Sequence, residues 1–420
     1  MKILFIVPGS GDAFYCGNCF RDTLHAGALR KTGHEVIVMP LYLPFTDEAF
    51  KADTQLFFPA ISFYVARKFF KRQQMPKWLK RILNSKYLLK LASSMSGSTT
   101  AKGMEDMTLS MIYGNDAVFD SEANRIIEWI ATCERPDIVH LSSALLTGIA
   151  RKIKQHIDIP VVCTLQDEEV WIDSLKKNCV RKAWEGIAEN LCYIDRFVTS
   201  SNFYKAFALE KFPQIKNIEV IYPGIDLEKY ASDSFPASPT IGFFYRMNKL
   251  NGLDILAKAF VELKKRGTVK DLKLKVGGGY TGNDKKFLKQ VKKILSPYMS
   301  DVEISDSYNL GSHAKFYSEI TLLAVPLTFD EGAGLYLCEA FASGRPAVEP
   351  VTGSFPEILE YAGLLYLNNN SHELADVIEE TLTDNDLFQQ LCQNATMLAQ
   401  RRYNASVSAQ KLVNLYKSMI

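Results

Sequence analysis

The chain has 420 residues, 47% of them apolar and 23% charged, with a net charge of +2. That length exceeds what one hydrophobic core usually fills and suits two α/β domains, and the composition excludes a disordered or fibrous chain. The near-neutral charge gives no global reason to expect nucleic acid as a partner, and no run of about 18 apolar residues marks a transmembrane helix.

The first predicted strand, Ile3–Val7, stops at Pro8-Gly9 without a small-residue cleavage site. It therefore reads as a β-strand and not as a secretion signal. The eight cysteines then point to a cytoplasmic chain with reduced thiols, not to a disulfide framework. Helical character over Cys19–Lys31 ends at Gly33. Further strands are predicted at Val36–Leu41, Ile138–Leu141, Val161–Leu165, Arg196–Thr199 and Glu219–Tyr222. The polar, Pro-bearing stretch Leu227–Pro239 reads as a linker. A second series of strands follows at Ile241–Tyr245, Leu272–Val276, Val302–Ile304, Leu322–Val325, Ala347–Glu349 and Leu364–Leu367. Helices are predicted between them at Leu253–Lys265, Lys285–Leu295 and Leu335–Ala342, and an amphipathic helix at Ser406–Met419 closes the chain. Strands alternating with helices predict parallel sheets covered on both faces. The expected architecture is α/β, with Rossmann-like domains over 1–232 and 233–403.

One stretch departs from the alternation. Roughly a hundred residues separate the second strand from the third, far more than one crossover needs. Within this insertion, about 54–115, no Asp or Glu occurs from Thr54 to Met104. The same span carries Arg67, Lys68, Lys71, Arg72, Lys77, Lys80, Arg81, Lys86, Lys90 and Lys102, interleaved with aromatic and aliphatic residues such as Phe57, Phe58, Phe69, Trp78 and Leu79. That pattern, over about 60–92, suits an interfacial helix on an anionic membrane. An apolar face packed on the domain, with the basic residues solvated, explains it equally simply. No nucleic-acid-binding motif accompanies it.

The most informative stretch is Asp330-Glu-Gly-Ala-Gly-Leu-Tyr-Leu-Cys-Glu-Ala-Phe-Ala-Ser-Gly-Arg-Pro-Ala-Val. It leaves a buried strand through a Gly-rich loop containing Gly332 and Gly334 and opens a helix at Leu335, where backbone N–H groups and the helix dipole favour a phosphate. Glu331 and Glu339 would repel that phosphate directly, so they suit neutral sugar and ribose hydroxyls. A solvated loop Glu and a Glu supporting the helix dipole are the plain alternative. The stretch resembles the E-x7-E signature of the family-4 retaining glycosyltransferases, which have the GT-B fold. The likeness continues in Gly344-Arg-Pro-Ala-Val, Gly353-Ser-Phe-Pro-Glu-Ile, Pro8-Gly9-Ser10-Gly11 with Gly17, Lys31-Thr-Gly-His-Glu-Val, Pro136-Asp-Ile-Val-His140, Pro223-Gly-Ile-Asp226 and Gly277-Gly-Gly. It covers nearly the whole chain.

The resemblance implies two Rossmann-like domains facing a cleft, with the segment 404–420 crossing back to the first. The N-terminal domain would take the acceptor and the C-terminal domain a UDP- or GDP-sugar. Transfer of a hexose-type unit to a hydroxyl, on a glycan or a lipid-linked acceptor, would proceed with retention, without a cofactor and without need of a metal. Glu331 would lie at the donor sugar and Glu339 at the ribose. Gly9, Gly11, Gly17, Gly278, Gly332, Gly334 and Leu335 would line the donor. Arg246 would bind the diphosphate. The family's second cation there is replaced by Asn251, with Lys249 close by. The family's His-Asp pair reads Gln166-Asp167. Gln cannot shuttle a proton, but in front-side transfer the departing phosphate can accept it. The Gln variant, with Cys16-Gly-Asn-Cys19-Phe-Arg-Asp and Pro40-Leu-Tyr-Leu-Pro44, resembles a bacterial subgroup of the family with undefined substrates. A same-fold epimerase or phosphorylase, and a non-catalytic nucleotide-sugar-binding subunit of a polysaccharide assembly, are the competing readings.

Cys16-Gly-Asn-Cys19 follows a strand and opens a helix, as a redox motif would, and it could supply two zinc ligands. No second Cys/His pair has metal spacing, so a tight turn near the sugar phosphate is the simpler expectation. His140 either faces the cleft or packs in the core. His25, His34, His156, His313 and His372 form no constellation in the sequence.

Overall fold

The apolar runs assemble into two six-stranded parallel sheets. The structure, a computed structural model, describes residues 1–9, 14–42, 54, 57, 58, 65, 76, 78, 79, 83, 103–132, 135–232, 234–305 and 307–420. The first sheet contains β1 (Lys2–Val7), β2 (Glu35–Pro40), β3 (Ile138–Leu141), β4 (Val161–Leu165), β5 (Arg196–Thr199) and β6 (Ile218–Val220), in the order β2-β1-β3-β4-β5-β6. The second contains β7 (Thr240–Phe244), β8 (Lys273–Gly277), β9 (Val302–Ile304), β10 (Leu322–Leu323), β11 (Ala347–Pro350) and β12 (Gly363–Tyr366), in the order β12-β11-β10-β7-β8-β9. Helices cover both faces, so the strands must be apolar throughout and not alternating. All five residues of β4, Val-Val-Cys-Thr-Leu, are buried.

The chain order of neighbours reverses beside β1 in the first sheet and beside β7 in the second. Crevices at such reversals, outside the carboxyl ends of the strands, are where open α/β sheets bind ligands. The loops leaving β1, β4, β7, β8 and β10 are therefore the places to examine. The helices that matter there are α1 (Gly17–Lys31), α2 (Glu105–Tyr113), α3 (Ala117–Thr132), α4 (Asn202–Lys211), α5 (Leu253–Arg266), α6 (Leu335–Ala342) and α7 (Ala405–Lys417).

The last helix, α7, returns to the first sheet. Its Leu412, Val413, Leu415 and Tyr416 share a core with Ile3, Phe5 and Val7 of β1. The two passages between the sheets are hydrogen-bonded to each other, Ile225 N–H to Tyr403 O at 2.6 Å and Ala405 N–H to Ile225 O at 3.0 Å. The stretch expected to be a linker is better anchored than its polar composition suggests. Leu227–Tyr230 forms a helical turn, Tyr230 is buried in the core of the second sheet, and the buried Arg345 donates to Ser232 Oγ and to Ser234 O.

The insertion shows a second departure. Phe57 and Phe58, read as part of a membrane-facing face, are fully buried. Phe58 N–H donates to Leu41 O at 2.9 Å, and the Phe57 ring meets Trp129 edge-on while the Phe58 ring lies tilted against Phe119, both of α3. Burial of aromatic area explains their presence. Trp78, by contrast, is 66% exposed. The ten Lys and Arg residues of that run lie outside the described residues. No helix among the described residues is long and apolar enough to cross a membrane.

Candidate active site between the two sheets

The loop leaving β10 meets the loop leaving β4. Asp167 follows β4 in a left-handed conformation, φ 46°, which costs energy for a residue with a side chain. Its contacts compensate. Asn18 of α1 donates to Asp167 Oδ2 at 3.0 Å, and Gly332 N–H, from the opposite domain, donates to Oδ1 at 3.0 Å. The approach requires a glycine, because a Cβ at residue 332 would lie 2.5 Å from Asp167 Oδ1. Ser201 Oγ donates to Gly332 O at 2.7 Å, so one residue of this loop is clasped through both its N–H and its C=O by the first domain. Glu357, from the Ser-Phe-Pro-Glu run, reinforces the junction by accepting the Asn202 and Phe203 amides at the start of α4 at 2.8 and 2.9 Å.

Glu331 is buried beside this junction. Its Oε1 accepts from the Ala333 and Gly334 amides at 3.2 and 3.1 Å, and Tyr245, the residue after β7, donates to Oε2 at 3.2 Å. The loop amides expected to wait for a phosphate are thus already taken by Glu331 and Asp167. Burial pushes the Glu331 carboxyl up to about 7, and the Asp167 charge adds to the rise.

Glu168 and Glu169 extend the acidic cluster. Tyr204 Oη lies 2.8 Å from Glu168 Oε2 and 2.6 Å from Glu169 Oε2, its single proton shared between them. Burial is the main cause that lifts Glu168 to about 7 and Glu169 to about 8. A carboxyl raised in the fold binds its proton more tightly folded than unfolded. The stability these three groups contribute is whole below the usual carboxylate range and is lost as pH rises through 7 to 8. Thermal unfolding should show a midpoint that falls between pH 5 and 8, and the fall should be shallower in Glu169→Gln. Parallel curves for the two proteins would mean that Glu169 titrates alike in folded and unfolded chains.

Glu339 is not at the surface of the cleft. It has no exposed area. Tyr15, Tyr230 and Tyr317 donate to it at 2.9, 2.5 and 3.2 Å, and His313 Nδ1 lies 2.7 Å from Oε1. His313 Nε2 in turn meets Tyr308 Oη at 2.9 Å. Each acceptor lone pair is occupied, as a buried carboxylate requires. Burial and the Glu339 charge hold the three phenols well above their ordinary range. His313, which formed no constellation in the sequence, is thus part of the site. So is Tyr15, whose ring lies beside Phe244, Tyr245 and His313.

Tyr15 holds this position because Phe14 and Tyr15 are bonded to the loop after β8 in the second domain. Its amide donates to Gly278 O at 2.7 Å, and Phe14 forms an antiparallel bridge with Gly279. Gly278 has φ +101°, and a Cβ there would fall 2.4 Å from Tyr245 O, so only glycine lets the two loops meet.

The cations also have partners. Arg246 is held by Asp284 at 3.1 Å and Thr281 at 3.2 Å and lies 4.7 Å from the centre of the Phe14 ring. Asn251 is buried and turned inward, donating to Arg246 O at 2.7 Å, so it fixes the turn before α5 and does not present its amide to the cleft. Lys249 is exposed and paired with Asp254. Gln166 is buried; its Nε2 donates to Ser142 O at 2.5 Å and its amide to Glu168 Oε2 at 2.7 Å. Gly9, at φ 90°, follows β1. Gly17 opens α1 opposite Leu335, the first residue of α6, with room for a Cβ 3.7 Å away. Gly11 lies outside the described residues. His140 is a core residue, between Tyr416 Oη at 2.6 Å and Thr164 Oγ1 at 2.8 Å. Among the described residues no group of His, Cys, Asp and Glu could hold a metal ion.

Two family models match the chain: "Glycosyl transferases group 1" over residues 238–384 and "Glycosyltransferase Family 4" over 112–229. Together they take in well over half of it. Both halves of the chain thus match glycosyltransferase family models. Among curated relatives, the chain is 25% identical over 226 residues to D-inositol 3-phosphate glycosyltransferase of Corynebacterium aurimucosum, covering 48% of this chain and 51% of that one. An uncharacterized glycosyltransferase of Methanocaldococcus jannaschii is 25% identical over 284 residues, with 65% and 73% covered. The chain spans about half the length of the first relatives. Solved structures of the same fold include sucrose-phosphate synthase from Thermosynechococcus elongatus, with a TM-score of 0.72 at 14% identity over 100% of this chain and 99% of that one. Anabaena HepE, in complex with UDP and glucose, gives a TM-score of 0.70 at 15% identity with both chains fully covered. The two sheets and their cleft are those of the GT-B fold.

Proposed function

We propose that this glycosyltransferase moves a sugar from a UDP- or GDP-sugar to a hydroxyl acceptor with retention at the anomeric carbon. The observation that carries the reading is the junction at which Asp167 takes the Gly332 amide and the neighbouring Glu331 carboxyl takes those of Ala333 and Gly334, between the carboxyl ends of the two sheets. Two carboxyls, one from each domain, stand where a donor sugar and an acceptor hydroxyl would meet. The protein would supply orientation and stabilise the leaving diphosphate, and the activated donor supplies the bond energy. The second domain, about 233–403, would hold the nucleotide and the first, about 1–232, the acceptor. Once Tyr15 withdraws, Glu339 would receive the ribose. Arg246 would exchange Asp284 for the diphosphate, with the Leu335 and Tyr336 amides at the start of α6 beside it. Front-side transfer lets the departing phosphate take the acceptor proton, so Gln166 needs only to position the loop. Charge neutralisation by Arg246 and amides would make a divalent metal unnecessary.

A thermal-shift panel of UDP-, GDP- and ADP-sugars tests the donor assignment, because a ligand of the native state raises the unfolding midpoint by mass action. One donor should stabilise the protein, and Arg246→Ala should lose nearly all of that shift. Full stabilisation of the Arg246→Ala protein would place the diphosphate elsewhere.

We propose also that the basic insertion brings the acceptor domain to an anionic membrane carrying a lipid-linked acceptor. Its support is the sequence run itself and the exposure of Trp78. Co-sedimentation should require anionic lipid, weaken with salt and drop in Lys77→Glu/Lys80→Glu/Arg81→Glu. Equal recovery with neutral vesicles would leave an ordinary basic face.

A further inference from the structure

Phe14 and Tyr15 form a strap across the nucleotide side of the cleft, touching Gly278, Gly279, Arg246 and Glu339 together. The next residue is Cys16, at the start of the 15-residue helix α1, and Cys16 Sγ lies 2.8 Å from Cys19 Sγ. Both are half-buried free thiols. Asn18, between them, bonds to Asp167. We propose that Cys16 and Cys19 are a dithiol–disulfide switch that determines whether the Phe14–Tyr15 strap can leave the cleft.

The chemistry of the pair suits exchange with a small-molecule disulfide. A helix N-terminus favours a thiolate, and the hydrogen bond with Cys19 holds the Cys16 thiol below its ordinary range while Cys19 is held well above. The Cys16 thiolate attacks the external disulfide, forming a mixed disulfide and releasing one external thiolate. Cys19 then gives up its proton and attacks Cys16 Sγ, expelling the second external thiolate. Both leaving thiolates take up protons. Two protein thiols are oxidised to one disulfide, and one external disulfide is reduced to two thiols.

The direction follows from the geometry. The sulfurs are adjacent while the strap is seated, so the bond forms without moving Tyr15. The short ring then fixes the dihedrals of Cys16, which must turn if Tyr15 is to withdraw. Oxidation therefore favours the seated strap, and any ligand that needs it withdrawn loses affinity by the same factor.

The effect on donor rests on the proposed nucleotide-sugar site; the effect on the strap does not. The whole chain is equilibrated with oxidised or reduced glutathione, and alkylation with peptide mass spectrometry identifies the paired cysteines. Hydrogen exchange follows the peptide carrying Tyr15, and calorimetry follows UDP and GDP. Oxidation should yield a Cys16–Cys19 disulfide, slow exchange at Tyr15 about tenfold and weaken the binding nucleotide by a similar factor. Cys19→Ser, with wild-type thermal unfolding, should respond in neither measurement. Absence of that disulfide, or a disulfide with unchanged Tyr15 exchange, overturns the switch. A Tyr15 response with no nucleotide bound in either state supports the switch and overturns the donor site.

Discussion

Glu339→Ala should lower the unfolding midpoint more than any other single substitution in the cleft. The substitution leaves three tyrosine hydroxyls and His313 facing a cavity in a site without solvent. Each orphaned buried group costs about 1–3 kcal/mol, and breaking a buried charged cluster typically costs about 3–5 kcal/mol in all. Glu339→Gln keeps one acceptor oxygen and nearly the same volume, so its loss should be about half as large. Denaturant unfolding of the three proteins checks the order. A Glu339→Ala protein as stable as wild type would show that the tyrosines find other partners and that the carboxylate does not hold them.

Glu331→Gln should affect chemistry in place of folding. Gln keeps an acceptor for the Ala333 and Gly334 amides, and the protein loses only a charge that burial already opposes. Turnover of the stabilising donor should fall about 10²–10³-fold, the usual effect of removing one electrostatic group from a transition state. UDP or GDP affinity should stay within about threefold, because the carboxyl is assigned to the sugar and not to the nucleotide. A variant with near wild-type turnover would remove Glu331 from the reaction.

Much of the fold was legible because parallel strands buried on both faces are written as continuous apolar runs. Ile138–Leu141, Val161–Leu165, Arg196–Thr199 and Val302–Ile304 have the bounds that the sequence predicts, as do the helices Lys285–Leu295 and Leu335–Ala342. The last helix packs as amphipathic periodicity requires. The leucine at 227 and the tyrosine at 230 misled, because their polar neighbours masked two anchoring residues.

The site was legible in part. Glu331, Asp167 and Gly332 stand together, as residues drawn from motifs at strand ends should. The surroundings of Glu339 were not legible. Its partners Tyr15, Tyr230, and the His313 and Tyr317 of one helix come from three separate segments, and one of them lies 324 positions away. Nothing in a periodicity or a short motif encodes that convergence. Arg246 was singled out by its motif position, but the Asp284 that holds it sits beyond another strand, in a capping box whose local role hides its second one. Phe57 and Phe58 illustrate the opposite error: a basic run interleaved with aromatics does not tell which aromatics turn inward.

The most direct test of the central claim is proton NMR of the donor during slow transfer to water, with the sugar nucleotide selected by thermal shift. The account predicts that nucleoside diphosphate appears and that the first free sugar, before mutarotation, has the anomeric configuration of the donor. Release of the opposite anomer would contradict retention. A donor that binds but is never turned over, with water or with hydroxyl acceptors, would make the protein a nucleotide-sugar binder and not an enzyme.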